Sequence, residues 1–438
     1  MSIAPRMRPA RFAGNLSLDE LLGLSGGVAP MRGAAAILGI LAATVGAAAE
    51  QGTLAAAARS IVGARQGVYV EAADGTPLLA QAADQAVHPA SVSKVPTTLA
   101  LLRKFGPDHR FTTTFAASGV IHGGTLDGDL LVETDGDPYL VDENALLVAE
   151  RLNQMGVQRV AGTLIVRGAL TFDWQLDPDA LRLRAAMSGR APAAAWAVVR
   201  EIQADTANAP TTAVSMPPAI QFMSAGGAAK TGDDGAPLER PLLVHRSQPL
   251  LSLVKSLNDY SNNIFKPLAD AAGGAAAVET LARSVVPAAM RSEITLGDGA
   301  GTDPSNRLSP RAAVKLLRAL AQELALTGHG LCDVLPVAGI DEGTLKERLN
   351  APQQVGRVAG KTGTFGDYGA SALVGAIPTS DRGIVYFAIL NHGIPVAEAR
   401  RRQDRFVRAL LLRLHSVAWN YHPDTRPAVA RSEVLNAP

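Results

Sequence analysis

The sequence predicts an α/β (α+β) protein: a sheet covered by helices, drawn from two separated stretches of chain and interrupted by a smaller α+β unit. Three observations carry this. Two apolar runs, Ser371 to Ile377 and Ile384 to Leu390, lack the alternation of a half-solvated strand and read as central strands covered on both faces. Amphipathic helical patterns precede them, and one follows with Phe406, Val407, Leu410, Leu411 and Leu414 on a single stripe. Between Phe111 and Leu242 short strand signals alternate with one helix and long polar turns. With 438 residues, 47% of them hydrophobic and 18% charged, the chain is long enough for two domains, and a net charge of +1 gives no reason to expect nucleic acid.

The first thirty residues carry little. Gly23-Leu24-Ser25-Gly26-Gly27 matches a Gly-x-Ser-x-Gly elbow, but no strand runs into it and no triad partner can be argued. Met31-Arg32, the apolar stretch Gly33 to Ala49 and Ala47-Ala48-Ala49 before Glu50 together read as a secretory signal peptide. An uncleaved anchor is the alternative. The expected location is therefore periplasmic or secreted. The single cysteine, Cys332, excludes an internal disulfide and reads as a buried helix thiol.

From Gly67, the alternation Val68-Tyr69-Val70-Glu71, a turn at Ala73-Asp74-Gly75 and Pro77-Leu78-Leu79 predict a β-hairpin. It leads into His88-Pro89-Ala90-Ser91-Val92-Ser93-Lys94. One helical turn from Ser91 to Lys94 sets an amine beside a hydroxyl, and a serine hydroxyl needs such a neighbour to become a nucleophile. The lysine can serve only if burial or another cation lowers its pKa. Ser252-Leu253-Val254-Lys255 has the same spacing but falls inside an amphipathic helix pattern, where it reads as helix surface.

In the middle region, Gly128 to Glu133 reads as a strand. Asp142 is expected to cap a helix bearing Leu146, Ala149 and Leu152 on one face and ending at Gly156, with strands at 157–160 and 163–166. Asp127, Asp129, Asp135 and Asp137 lack the spacing of a calcium loop and read as turn residues. Ala191 to Pro237 reads as loops and short helices, partly disordered. Helices are then expected around Leu250 to Tyr260, Ile264 to Ala272, Ala275 to Val286 and Pro310 to Leu326. An extended segment, Gln354 to Ala359, leads to Lys361. Residues beyond Tyr421 read as a loose tail.

Two further patterns accompany Ser91 and Lys94: Ser261-Asn262-Asn263 after a helix, and Lys361-Thr362-Gly363-Thr364 after the extended segment. Each has a rival. Lys230-Thr231-Gly232 lies in a glycine-rich loop with no strand before it, whereas Ser256-Leu257-Asn258 is set aside mainly by resemblance. Taken in order, Ser-x-x-Lys, Ser-x-Asn and Lys-Thr-Gly resemble the active-site serine penicillin-recognising enzymes. More narrowly, the chain looks like the penicillin-binding protein 4 type of D-Ala-D-Ala carboxypeptidase and endopeptidase. Asp298-Gly299-Ala300-Gly301, Leu335-Pro336-Val337-Ala338-Gly339 and Gly343-Thr344-Leu345 resemble segments of that family, and the long interval from Ser91 to Ser261 resembles its inserted domain. Pro96 in the nucleophile helix, an extra Glu342 and a short insertion depart from it.

The resemblance implies a transpeptidase/β-lactamase-like catalytic domain with an antiparallel sheet. Its expected limits are 50–110 and 241–420, interrupted by an inserted domain at 111–240, with an extension and signal peptide at 1–49 and a tail at 421–438. It implies Ser91 as nucleophile, Lys94 as its base, Ser261 and Lys361 as proton carriers, and Asn263 as holder of the substrate amide. Thr362 and Thr364 would bind the terminal carboxylate, with Gly363 allowing close approach. The expected substrates are peptidoglycan peptides, with β-lactams as inhibitors, no cofactor, no metal, and peripheral membrane association compatible with the sequence. The rivals are a β-lactamase or esterase on the same scaffold, and a non-catalytic cell-wall binding protein.

Overall fold

The computed structural model describes residues 51–205, 218–224, 227–229, 240–260, 264–366 and 369–438. In chain order the main elements are β1 (Gly67–Glu71), β2 (Pro77–Gln81), α1 (Lys94–Phe105), β3 (Thr112–His122), β4 (Thr125–Thr134), α2 (Asp142–Gln154), β5 (Arg159–Val160), β6 (Leu164–Arg167) and α3 (Ala193–Asp205). There follow β7 (Gln221–Phe222), β8 (Gly227–Ala229), β9 (Arg240–Arg246), α4 (Leu250–Asp259), α5 (Phe265–Ala271), α6 (Ala275–Ser284), α7 (Pro310–Leu326), β10 (Ala359–Phe365), β11 (Ala370–Pro378), β12 (Ile384–His392), α8 (Val396–Arg413) and β13 (Glu433–Asn436). The reading of residues 1–49 lies outside the described residues.

The first sheet runs β10-β11-β12-β1-β2, antiparallel throughout, so the opening hairpin and the late strands meet at β1 and β12. Successive side chains point to opposite faces. Ala372, Val374, Ala388 and Leu390 face a core shared with α1, α4, α5, α6 and α7, while Leu373, Ile377, Phe387 and Ile389 face α8 and the helical segment 51–63. Both faces are dry, which is why these strands read as unbroken apolar runs. On α8 the stripe Phe406, Val407, Leu410 and Leu411 is buried, each side chain contributing about 1.5–3 kcal/mol by leaving water.

A second, mixed sheet runs β8-β6-β4-β3-β9-β13, with β5 beside β4 and β7 beside β5. The pairs β3–β4, β3–β9 and β9–β13 are antiparallel, whereas β4–β6 and β6–β8 are parallel. Ala145, Val148, Ala149 and Leu152 of α2 pack on it in a core of its own.

Five local expectations change. Helix α2 is preceded by extended Val141 (φ −126°), whose N–H donates to Asn144 Oδ1 at 3.0 Å; Asp142 is thus the first helical residue, where its charge complements the helix dipole instead of capping. Residues 193–205, in the stretch 191–237 expected to hold loops and short helices, form a 13-residue helix, longer than those expected; residues 206–217, 225–226 and 230–237 of that partly disordered stretch lie outside the described residues. The segment before Lys361 is not extended: Gln354 N donates to the Ala351 carbonyl and Arg357 N to that of Gln354, so the chain turns until Ala359 and Lys361 sits within β10. Residues 421–438 are not loose, because β13 pairs with β9 and Tyr421 Oη donates to Asp341 Oδ1 at 2.7 Å. Residues 241–246, expected to open the resumed catalytic segment, instead form strand β9 of the second sheet.

Candidate active site

Ala90–Ser93 form a single 3-10 turn that runs directly into α1. Ala90 has φ +48°, a left-handed geometry uncommon for a residue with a Cβ, and it turns the chain so that Ser91 begins the helical register. Lys94 Nζ then lies 3.0 Å from Ser91 Oγ. Pro96 does not disturb this: it is the third residue of α1, and the contact between Ser91 and Lys94 is made in the turn before it.

The pair is enclosed. Ser91 is 6% exposed, Lys94 1% and Lys361 0%. The Lys94 ammonium lies 5.4 Å from the ring centre of Phe265 on α5, a residue that no sequence pattern singles out. Burial pushes Lys94 down to about 8, opposed by the charge of Asp298. Lys361 goes down to about 7, again mainly by burial and then by the neighbouring charge of Lys94. Two amines near neutrality in a dry site are placed to take and return a proton as the hydroxyl attacks.

Strand β10 lies against the nucleophile turn. A Cβ on Gly363 would fall 2.6 Å from the Pro89 carbonyl oxygen and 3.0 Å from Ser91 N, so only glycine permits this approach. His88 stacks on Phe365 with ring centres 3.9 Å apart, joining the two segments again. Thr362 is buried and its Oγ1 is 2.9 Å from Thr344 Oγ1, while Thr364 is exposed. Lys361 Nζ donates to the Thr362 carbonyl at 3.2 Å.

The segments that resembled family motifs hold this arrangement in place. Asp298 accepts from the amides of Gly301, Thr302 and Asp303 and from Asn306, which shapes the loop behind Ser91. Thr344 N donates to the Asp259 carbonyl at 2.9 Å, tying the Lys361 strand to the end of α4. That bridge was visible in sequence only as Gly343-Thr344-Leu345.

Ser261 and Asn263 lie outside the described residues, as does the rival Lys230-Thr231-Gly232. The other rivals can be placed. Lys255 is engaged by Asp341 and the Leu335 carbonyl, so it is no base for Ser252. Asn258 is buried and donates to the Val334 carbonyl at 2.9 Å. Of the four middle aspartates, Asp127 and Asp129 stand within β4, where pairing with β3 makes them strand residues instead of the expected turn residues, and Asp129 accepts from Thr163 N; beyond the strand, Asp135 accepts from Thr112 N and Asp137 from Tyr139 N. Among the described residues no three His, Cys, Asp or Glu side chains gather as a metal site would require, and no helix is long and apolar enough to cross a membrane.

A cleft of about 880 Å³ is lined by Tyr139, Trp174, Asp259, Tyr260, Lys346 and Arg426 among others; Ser91, Lys94 and Lys361 do not line it.

The fold and this site together define a serine enzyme scaffold of the penicillin-binding type. In overall fold the chain is similar to a penicillin G-acylated predatory endopeptidase from Bdellovibrio bacteriovorus, with a TM-score of 0.72 and 22% identity over 85% of this chain and 99% of that one. It is also similar to penicillin-binding protein 4 from Haemophilus influenzae, with a TM-score of 0.56 and 18% identity over 80% and 96%. A curated relative, the D-alanyl-D-alanine carboxypeptidase DacB of Haemophilus influenzae, is 31% identical over 77 residues, a match spanning 16% of that protein's length. Residues 50–233 and 230–411 match the D-Ala-D-Ala carboxypeptidase 3 (S13) family, and the chain belongs to it.

Proposed function

We propose that the protein is a serine D-Ala-D-Ala carboxypeptidase/endopeptidase that acts on peptidoglycan stem peptides through an acyl-enzyme on Ser91. The observation that carries this reading is the enclosed pair Ser91 and Lys94, with Nζ 3.0 Å from Oγ and the amine brought down to about 8. Neutral Lys94 takes the Ser91 proton as Oγ attacks the carbonyl before the terminal D-alanine. The backbone amides of Ser91, in the turn before α1, and of Thr364, on β10, meet the oxyanion, worth several kcal/mol in a dry site. Ser261 and Lys361 return a proton to the leaving amine, Asn263 holds the substrate amide, and Thr362 and Thr364 take the carboxylate. Water or another amine then resolves the ester.

The second sheet would be the inserted domain, its cleft accommodating more of the wall than the scissile dipeptide. The substrate and the sequence before Glu50 favour a periplasmic or secreted protein, with peripheral attachment to the membrane compatible with both. β-Lactams would act as inhibitors, since ring opening leaves the amine tethered to the acyl group, where it hinders water. A β-lactamase must overcome that with a dedicated base, and the glutamates between Ser261 and Lys361 are committed elsewhere. Glu279 pairs with Arg283, Glu293 with Arg311, Glu323 with Arg103, Glu342 with Lys346, and Glu347 accepts from Asn350.

Intact-mass measurement after exposure to benzylpenicillin tests the reading. One penicilloyl group per chain should persist for minutes or longer while D-Ala-D-Ala peptides turn over. Recovery of free enzyme within seconds favours the β-lactamase, and no adduct with no peptide turnover favours a binding protein.

A further inference from the structure

Helix α8 carries three consecutive arginines, and their partners differ. Arg401 and Arg402 both pair with Glu398, and the next carboxylate, Asp404, is taken by Arg348, which also donates to Gln403. Arg400 makes no ion pair among the described residues, the charge of nearby Asp404 being opposed by that of Arg348. Its Nη2 donates instead to Thr364 Oγ1 at 2.8 Å, at the exposed end of the strand that carries Lys361.

We infer that Arg400 is the substrate-binding cation for the carboxylate on the leaving side of the scissile bond. The inference rests on the acyl-enzyme reading above and deepens it. A hydroxyl such as that of Thr364 orients a carboxylate but supplies no charge, and Lys361 is fully buried with its amine turned to the Thr362 carbonyl. A guanidinium has five N–H donors in a planar fork, and one of them is committed to Thr364. The remaining donors match the two oxygens of a carboxylate and stay charged at any pH the enzyme meets. A terminal D-alanine carries that carboxylate, as does a cross-linked leaving residue whose own α-carboxylate lies beside the cleaved amide. Arg400 thus serves both activities while selecting against amidated leaving groups.

The test uses the full chain with Arg400→Gln and Arg400→Lys, and two pairs of probes: benzylpenicillin with its methyl ester, and a diacyl-Lys-D-Ala-D-Ala peptide with its C-terminal amide. Acylation is followed by intact mass and peptide cleavage by release of the leaving residue. Loss of a charge-assisted hydrogen bond should slow reaction with both carboxylate probes about 10–100-fold in Arg400→Gln, mostly through KM for the peptide, while the ester and amide change less than about twofold. Arg400→Lys should recover part of the loss, and added salt should weaken the wild-type preference. Equal losses on charged and neutral probes assign Arg400 to the scaffold and overturn the inference, as does no loss on either. Wild-type protein that reacts with none of the four overturns the acyl-enzyme reading as well, which separates the two failures.

Discussion

A Cβ placed on Gly301 would lie 2.0 Å from the carbonyl oxygen of Ala90, the residue that immediately precedes Ser91. The same atom would be 2.8 Å from Ser91 N, and Gly301 itself has φ +86°. The loop shaped by Asp298 therefore seats directly beneath the nucleophile turn. Gly301→Ala should push that turn aside. A displacement of about 1 Å in a reacting group can cost about 10²-fold, so penicillin acylation is expected to fall by at least that much. Gly328→Ala is the control, because Gly328 also has a positive φ (+78°) but open space around it. It should cost about 1 kcal/mol of stability and leave acylation unchanged. Rates by intact mass and thermal unfolding of both variants check the contrast.

Ser91→Ala should abolish labelling by a fluorescent penicillin, and Ser252→Ala should leave it intact. Ser252 has the same lysine spacing, but its Lys255 is held by Asp341. Undiminished labelling of the Ser91→Ala protein, read on a gel, would remove Ser91 as the nucleophile.

Acylation should rise with pH. Lys94 must be neutral to accept the serine proton, and its pKa is about 8, so the rate is expected to level off above that value and to fall roughly tenfold for each pH unit below it. Lys361, at about 7, steepens the fall if its neutral form also takes part. Stopped-flow acylation between pH 6 and 9 reads this directly, and a flat profile would place the base elsewhere.

A buried pair in the second sheet gives a pH dependence that only variants reveal. His245 Nδ1 is 3.5 Å from Asp137 Oδ2, both side chains are sealed from solvent, and neither atom has a hydrogen-bond partner among the described residues. Burial pushes His245 down to about 4 from 6.5 and raises Asp137 to about 7 from 3.8. Between about pH 4 and 6.5 the folded state holds a neutral histidine and a protonated aspartate, whereas the unfolded chain holds both charged. The proton count is the same, so the pair cancels out of the stability curve. Removing one partner breaks the cancellation. In His245→Gln the raised aspartate remains, and stability should be lost as pH rises from about 4 to 7. In Asp137→Asn the depressed histidine remains, and stability should be lost as pH falls from 6.5 to about 4. Urea titrations across pH 4–7 should give slopes of opposite sign, and parallel curves would disprove the assignment.

The serine and lysine of the site were readable because one helical turn fixes their separation whatever the rest of the chain does. The strands at 370–378 and 384–392 were readable because burial on both faces leaves unbroken apolar runs. Strand β10 was misplaced upstream: its residues are small and polar, and what makes them extended is pairing with β11, a partner reached only through the fold. The same holds for Arg400. In a helix with six arginines nothing local separates the one that reaches Thr364 from those that pair along the helix surface.

Strand β13 is synthesised long after the strand it completes. Until residues 433–436 emerge, β9 presents an unpaired edge, its backbone donors and acceptors open to any extended peptide nearby. The second sheet therefore passes through a vulnerable interval during synthesis, and a chain stopped just short of β13 would retain every residue of the nucleophile site while keeping that edge exposed. Such a product should fail by self-association rather than by lost chemistry, which makes the far end of the chain a safeguard against aggregation.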